Sequence, residues 1–431
     1  MSGLASQVIS EVQRYRQYVY ALLLYRSVFD SSVGQALLRL LTALCQGDSE
    51  ECLGAYAQWF QALATAQQSW RSHLVQQTLQ AENAFSLQAQ QYNVLELPNA
   101  LLDAARQDLR TLQKLYEFPS EQLSRWVQTV CQLPQAPTVW QISELPLAVQ
   151  FPALTDWAEG ISELAEYYHR NGTGLFGRYR AFRWQQGQLI GIATPDPVRL
   201  SQLAAYETPR TELLKNTRFL LAGYPALHVL LYGSRGSGKS SLVKALLNEY
   251  SDQGLRLVEV AKSDLRDLPL IVDMLRSVPL KFIIFVDDLS FEEDDEAFKA
   301  LKVVLEGSVT ARPQNVVVYA TSNRRHLVRE YFSERPRPSD QDEIQVWDTL
   351  QEKLSFSDRF GLTLTFEPAD QPTYLAIVEH LAQQAEISLP ADELTHRALQ
   401  WATRHNGRSG RTARQFVDFL NAELKLGSPI E

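Results

Sequence analysis

Cysteine is scarce in this chain: Cys45, Cys52 and Cys131 are the only three in 431 residues. An odd set at those spacings fits neither a paired disulfide framework nor a metal-ligand cluster, so reduced thiols within apolar helices, in a reducing compartment, are expected. Long apolar runs are missing too. The most apolar stretch near the N-terminus, Tyr18 to Tyr25, is bounded by Arg16 and Arg26. It falls far short of the roughly 20 residues a spanning helix needs, and no signal-cleavage pattern follows it. The chain therefore reads as cytoplasmic with no membrane partner. Positive charge is in deficit, with 41 Lys and Arg against 50 Asp and Glu and a formal net charge of −9. That balance argues against wrapping nucleic acid through bulk charge, although it leaves room for a local basic groove, so nucleic acid is not an expected partner. Internal repeats and long low-complexity tracts do not stand out.

The hydrophobic content, 45%, is ordinary for globular protein, and the length predicts two or three domains. Residues 1–172 carry helical periodicity almost throughout, for example Val33, Leu37, Leu40, Leu41 and Leu44, then Leu53, Tyr56, Trp59, Phe60 and Leu63, which predicts an all-α N-terminal domain. Pro119, Pro134, Pro137 and Pro146 interrupt the pattern with loops. Residues 173–200 hold a strand, turn and strand signal around Gln185-Gln186-Gly187 and are expected to form a linking β-hairpin. Arg178, Arg180 and Arg183 alternate there with Tyr179, Phe182 and Trp184. That alternation is open to two readings, a basic and aromatic nucleic-acid face or a hairpin with one solvated face, and the second is preferred. From 201 to 368 short apolar runs alternate with helices, as a parallel sheet covered on both faces requires. From 369 to 431 only helical periodicity remains, which predicts a small helical lid. The Pro-containing stretch Ser333 to Glu343 is expected to be a surface loop.

Within the α/β region, Gly233-Ser234-Arg235-Gly236-Ser237-Gly238-Lys239-Ser240 follows the apolar run His228 to Tyr232 and precedes an apolar-periodic helix that opens with Lys239, Ser240 and Ser241. It fits the phosphate-binding pattern G-x-x-x-x-G-K-[ST] at every fixed position. Glycines let the backbone turn its N–H groups toward phosphate, and the helix that follows directs its positive dipole end at the same charge. Lys239 is expected to reach the β- and γ-phosphates, and the Ser240 hydroxyl to ligate Mg²⁺. A second element is Phe282-Ile283-Ile284-Phe285-Val286-Asp287-Asp288, an apolar strand that delivers two carboxylates at its end. Asp287 is expected in the Mg²⁺ shell, and Asp288 where a carboxylate polarises the attacking water.

With Asn323 at the end of the apolar strand Val316 to Ala320, and Ser355-Phe356-Ser357-Asp358-Arg359-Phe360 further on, the set resembles the AAA+ ATPases. The resemblance implies an α/β P-loop fold of AAA+ type with a C-terminal helical lid, ATP with Mg²⁺ as the nucleotide, and assembly into a homo-oligomer. It implies that Asn323 is sensor 1, and that Arg359 is an arginine finger completing a neighbouring copy's site in trans. It also implies that the lid's sensor 2 lies in Asn406-Gly407-Arg408-Ser409-Gly410-Arg411-Thr412-Ala413-Arg414, with Arg411 chosen over Arg408 and Arg414. Over about residues 200–425 the chain resembles more closely a bacterial family of AAA+-type ATP-binding proteins known by a domain-of-unknown-function label. That likeness is carried by Asp287 to Glu293, Ala320 to Leu327 and Gly407 to Phe416.

The chain departs from the wider superfamily at Asp288, where many active members have Glu; a carboxylate one methylene shorter leaves slow turnover open. Glu292 and Glu293 are candidates to compensate, although a solvated acidic loop is the preferred account of them. Tyr206 to Arg210 stand where relatives place adenine contacts. Arg324-Arg325-His326-Leu327-Val328-Arg329 concentrate positive charge, either for a contact with a neighbouring subunit or an acidic partner, or as an exposed helix start; His326 is given no catalytic role. The function expected is an oligomeric ATPase that remodels an unidentified protein client. The alternatives are a nucleotide-gated scaffold with little turnover and a DNA-associated loader.

Overall fold

A computed structural model of the chain describes residues 3–143, 149–290, 296–306, 312–323, 359–405 and 407–427. It divides into two compact units, Met1–Arg178 and Tyr179–Glu431. In the first, the apolar stripes become buried helix faces. Helix Ser32–Gln46 buries Val33, Leu37, Leu40, Leu41 and Leu44 on one side, and helices Ser49–Ala66, Asn99–Tyr116 and Ser120–Val130 do the same. Trp59, Trp157, Tyr25, Tyr168, Phe85 and Phe151 fill the common core. Side-chain caps set where several helices begin: Ser31, Asp48, Ser69 and Asn83 each accept a first-turn amide, satisfying donors that have no partner within the helix. The unit continues past the expected boundary through a short helix, Gly174–Arg178. All three cysteines are free thiols, and burial pushes the Cys52 thiol up to about 12.

The second unit is built on a seven-stranded sheet. Its strands are β1 (Ala181–Gln185), β2 (Gln188–Ile192), β3 (Val229–Gly233), β4 (Leu255–Glu259), β5 (Lys281–Val286), β6 (Val316–Ser322) and β7 (Leu362–Phe366), in the order β2-β1-β4-β5-β6-β3-β7. All neighbours pair parallel except β1 with β2. Every residue of β5 from Phe282 to Val286 is buried, as a strand covered on both faces demands. Helices Glu207–Leu221 and Lys239–Tyr250 pack Leu213, Leu220, Leu242, Val243 and Leu246 against one face.

The β-hairpin expected as a link within residues 173–200 is part of the sheet of the second unit. Strand β1 adds to the sheet beside β4, with Ala181 opposite Leu257 and Arg183 opposite Glu259, and it buries Phe182 and Trp184. The arginines flagged there have acidic or polar partners. Arg183 donates twice to Glu259 Oε2, at 2.9 and 2.8 Å, and Arg180 meets Ser251 Oγ and Asp252 at 3.1 Å each. A solvated hairpin face with paired charges therefore accounts for the alternation.

After β7, helices Gln371–Gln384, Ala391–Arg404 and Gly410–Leu426 close around Tyr374, Val378, Leu394, Ala398, Phe416 and Leu420. The elements follow the expected class as far as an α/β unit that carries the P-loop sequence, then C-terminal helices, with an all-α unit before it in the chain. Among the described residues, no helix is long and apolar enough to cross a membrane.

Candidate nucleotide site

The P-loop leaves β3 at Gly233, whose φ is +142°; a Cβ there would lie 1.9 Å from the Phe366 carbonyl oxygen, so only glycine permits β7 to run alongside. Gly236 and Gly238, at φ +74° and +89°, turn the chain into helix Lys239–Tyr250. The first-turn amides of that helix face the loop, the arrangement that favours an anion. Lys239 is buried, and its Nζ donates to the carbonyls of Gly233 (3.0 Å) and Ser234 (2.7 Å). Desolvation lowers its pKa, opposed by Asp287 and Asp288.

The acidic end of the site is assembled by strand register. Strands β5 and β6 pair Val286 with Ala320, which brings the next residues, Asp287 and Thr321, together. Ser240 Oγ donates to Asp287 Oδ1 at 2.6 Å, and Thr321 Oγ1 donates to the same oxygen at 2.5 Å. The Asp288 amide donates to Thr321 Oγ1 (2.9 Å), and Asn323 Nδ2 donates to Asp288 Oδ1 (2.6 Å). Asp288 has a φ of +51°, a left-handed backbone uncommon outside glycine. A serine hydroxyl touching a carboxylate is a hard-oxygen pair of the kind that holds Mg²⁺ together with substrate phosphates, so Ser240 and Asp287 fit that ion. Sequence reasoning missed Thr321. Its signal was a polar residue near the end of an otherwise apolar strand, two residues before Asn323.

A cleft of about 550 Å³ opens beside the loop, lined by Val198, Leu203 and Tyr206 before β3, by the P-loop, and by Ile377, Leu381, Arg411 and Arg414 of the lid. The lid touches the loop directly: the Arg411 amide donates to the Gly236 carbonyl at 3.1 Å, and a Cβ on Gly410 would lie 2.9 Å from that oxygen. Of the three sensor 2 candidates, Arg411 and Arg414 line the cleft, whereas Arg408 donates to Gln371 Oε1 at 3.1 Å. Tyr206 and Ala205 both have left-handed backbones, at φ +58° and +66°. The Tyr206 hydroxyl donates to the Glu367 carbonyl at 2.8 Å, and Arg210 donates to the Leu203 carbonyl at 3.0 Å.

Arg359, half-buried, stands three residues before β7. Register pairs Leu362 with Val229 and Phe366 with Gly233, so Arg359 is at the end of β7 away from its own P-loop. The strand alone separates them by about 13 Å at ~3.3 Å per residue. Arg324, Arg325, His326, Arg329, Glu292, Glu293, Asn406, residues 333–343 and Ser355 to Asp358 lie outside the described residues.

Residues 177–424 match a family described as "Protein of unknown function (DUF815)". Among solved structures the chain is similar to the RuvB Holliday junction branch migration motor of Thermotoga maritima. Identity is 14%, the TM-score is 0.37, and the match covers 54% of this chain and 66% of that one. It is also similar to AMPPCP-bound DnaA from Aquifex aeolicus at 16% identity and TM-score 0.36, covering 52% and 65%. The chain thus spans just under two thirds of the length of each. No curated protein matches it.

Proposed function

The chain belongs to the DUF815 family, and from the site it carries we propose that it binds and hydrolyses ATP, working as an assembly of its own copies on a protein client. The observation that carries this reading is the convergence of Lys239, Ser240, Asp287, Asp288 and Asn323 at one end of the sheet, joined by contacts of 2.6 to 3.5 Å. In the proposed complex the P-loop amides and Lys239 bind the phosphate chain, and the ammonium exchanges the carbonyls of Gly233 and Ser234 for phosphate oxygens. Ser240 and Asp287 hold Mg²⁺, which neutralises charge on the phosphates. Asp288 orients the attacking water and accepts its proton, and Asn323, already donating to Asp288 Oδ1, fixes that carboxylate. Arg411 at the lid contacts the phosphate end of the nucleotide. Arg359, too far along β7 to reach its own P-loop, stabilises the charge developing in a neighbouring copy's site.

A second reading, a nucleotide-gated scaffold with little turnover, is favoured by the shorter Asp288 side chain, which Asn323 already engages. Net charge does not report on a local groove, so nucleic acid remains a partner to test through salt-dependent binding. The deciding experiment is ATP turnover against protein concentration for wild type, Lys239→Ala and Arg359→Ala. Turnover that rises cooperatively with concentration and is lost in both variants supports the assembled ATPase. Tight ATP binding, with no turnover above the Lys239→Ala background at any concentration, replaces it with the scaffold.

A further inference from the structure

We infer that Thr321 is a positioning residue for hydrolysis: its hydroxyl ties Asp287 to the Asp288 amide and holds Asp288 in the left-handed backbone that aims its short carboxylate. The inference rests on the ATPase reading above and names a residue that reading does not use. The Thr321 hydroxyl has one proton and it goes to Asp287 Oδ1 at 2.5 Å; one of its lone pairs takes the Asp288 N–H at 2.9 Å. The Thr321 carbonyl takes the following amide, that of Leu289, at 2.7 Å. Three consecutive residues, 287 to 289, are therefore gripped through side chain, amide and amide by one residue of the neighbouring strand. Thr321 is itself 2% exposed, so water cannot substitute readily for its hydroxyl.

This grip falls on the one residue of the group whose backbone is strained. A left-handed non-glycine residue persists where surrounding contacts over-determine it. At Asp288 those contacts are the Thr321 oxygen on the amide and Asn323 on the carboxylate. Turning the backbone at φ +51° redirects the Cβ, which offers a way for an aspartate to meet Asn323 where a longer glutamate would meet it from an ordinary backbone. Only a hydroxyl both donates to a carboxylate and accepts an amide from a single atom. Serine retains this chemistry, and valine retains the shape without it.

The test compares Thr321→Val and Thr321→Ser with wild type in three measurements. These are kcat, ATP affinity without Mg²⁺ by calorimetry, and the Asp288 φ in crystals of the nucleotide-free proteins. Groups that orient metal ligands typically change activity by roughly 10- to 100-fold. We expect Thr321→Val to lose kcat by that amount, to keep Mg²⁺-free ATP affinity within about twofold, and to release Asp288 from the left-handed region, while Thr321→Ser restores most of kcat. Equal kcat losses in Val and Ser, or a Val variant with unchanged kcat or an unchanged Asp288 φ, overturn the positioning role while leaving the ATPase reading intact. Wild-type turnover no higher than that of Lys239→Ala overturns the ATPase reading and the role in hydrolysis with it.

Discussion

Gly236 is the residue at which loop and lid meet, and it has no room to become anything else. Its φ is +74°, and a Cβ would stand 2.9 Å from Ser409 Oγ and 3.1 Å from Arg411 Cβ. Gly236→Ala would therefore strain the loop and push the start of helix Gly410–Leu426 away from it. Calorimetric titration with ATP and Mg²⁺ should show affinity lowered by roughly tenfold, the equivalent of about 1.4 kcal/mol. An unchanged affinity would mean that the lid contact plays no part in binding. At this scale the sequence was legible wherever chemistry travels with local spacing. The loop glycines, Lys239 and Ser240 are neighbours in the chain, so their convergence needs only one strand, one turn and one helix. Thr321 was not legible because its partners, Asp287 and Asp288, are more than thirty positions away. Its role depends on the β5–β6 register, and one residue of slip would send its hydroxyl to the other face.

At the scale of elements, periodicity located the helices, but long-range contacts decided what several of them do. The β1–β2 hairpin was readable from its turn, Gln186-Gly187. Its parallel pairing with β4, some seventy residues later, left no local trace, so it read as a link instead of a sheet edge. Asp108 is a similar case. On helix Asn99–Tyr116 it is a charged residue inside the apolar stripe, three after Ala105 and four before Leu112, and it is fully buried. Its carboxylate accepts the amides of Leu23 (3.0 Å), Leu24 (2.7 Å) and Tyr25 (3.0 Å), the donors at the start of the short helix Tyr25–Phe29. Asp108→Ala leaves all three amides without that acceptor inside the core. Because hydrogen bonds to a charged group contribute about 1.5–3 kcal/mol and a stranded donor costs a similar amount, the helical unit should lose at least about 3 kcal/mol. Urea unfolding followed by tryptophan fluorescence would read it, since Trp59, Trp70, Trp126, Trp140 and Trp157 all belong to that unit. A loss below about 1 kcal/mol would show that the amides find other acceptors.

For the whole molecule, two separately packed cores each contain, among the described residues, a buried histidine held neutral, and this ties both units to pH in the same direction. His73 in the helical unit is pushed down to about 4, first by burial and then by Arg178, with Ser31 Oγ at 2.9 Å and Gln68 Oε1 at 3.1 Å from its ring nitrogens. His228 in the α/β unit is pushed down to about 3, again by burial first and then by Arg312. Its Nδ1 accepts the Val318 amide at 2.9 Å. In the unfolded chain both rings titrate near the ordinary value of about 6.5. Below that pH the unfolded state holds protons that the folded state refuses, so stability is full above about 6.5. It declines as pH falls toward 4 in the first unit and toward 3 in the second. The limiting slope is about 1.4 kcal/mol per pH unit for each histidine. Between pH 6.5 and 5 few carboxylates have begun to protonate, so a decline in that window belongs mainly to these two rings. Urea midpoints at pH 7, 6 and 5 should therefore fall for wild type. His73→Gln should flatten the fall in the helical unit alone, and His228→Asn, whose amide oxygen can accept the same Val318 amide, in the α/β unit alone. Because the two rings lie in different cores, the double variant should show the sum of the two changes. A double variant that still declines like wild type would place the proton uptake on other groups, and one in which each substitution flattens both transitions would mean that the two units unfold as one.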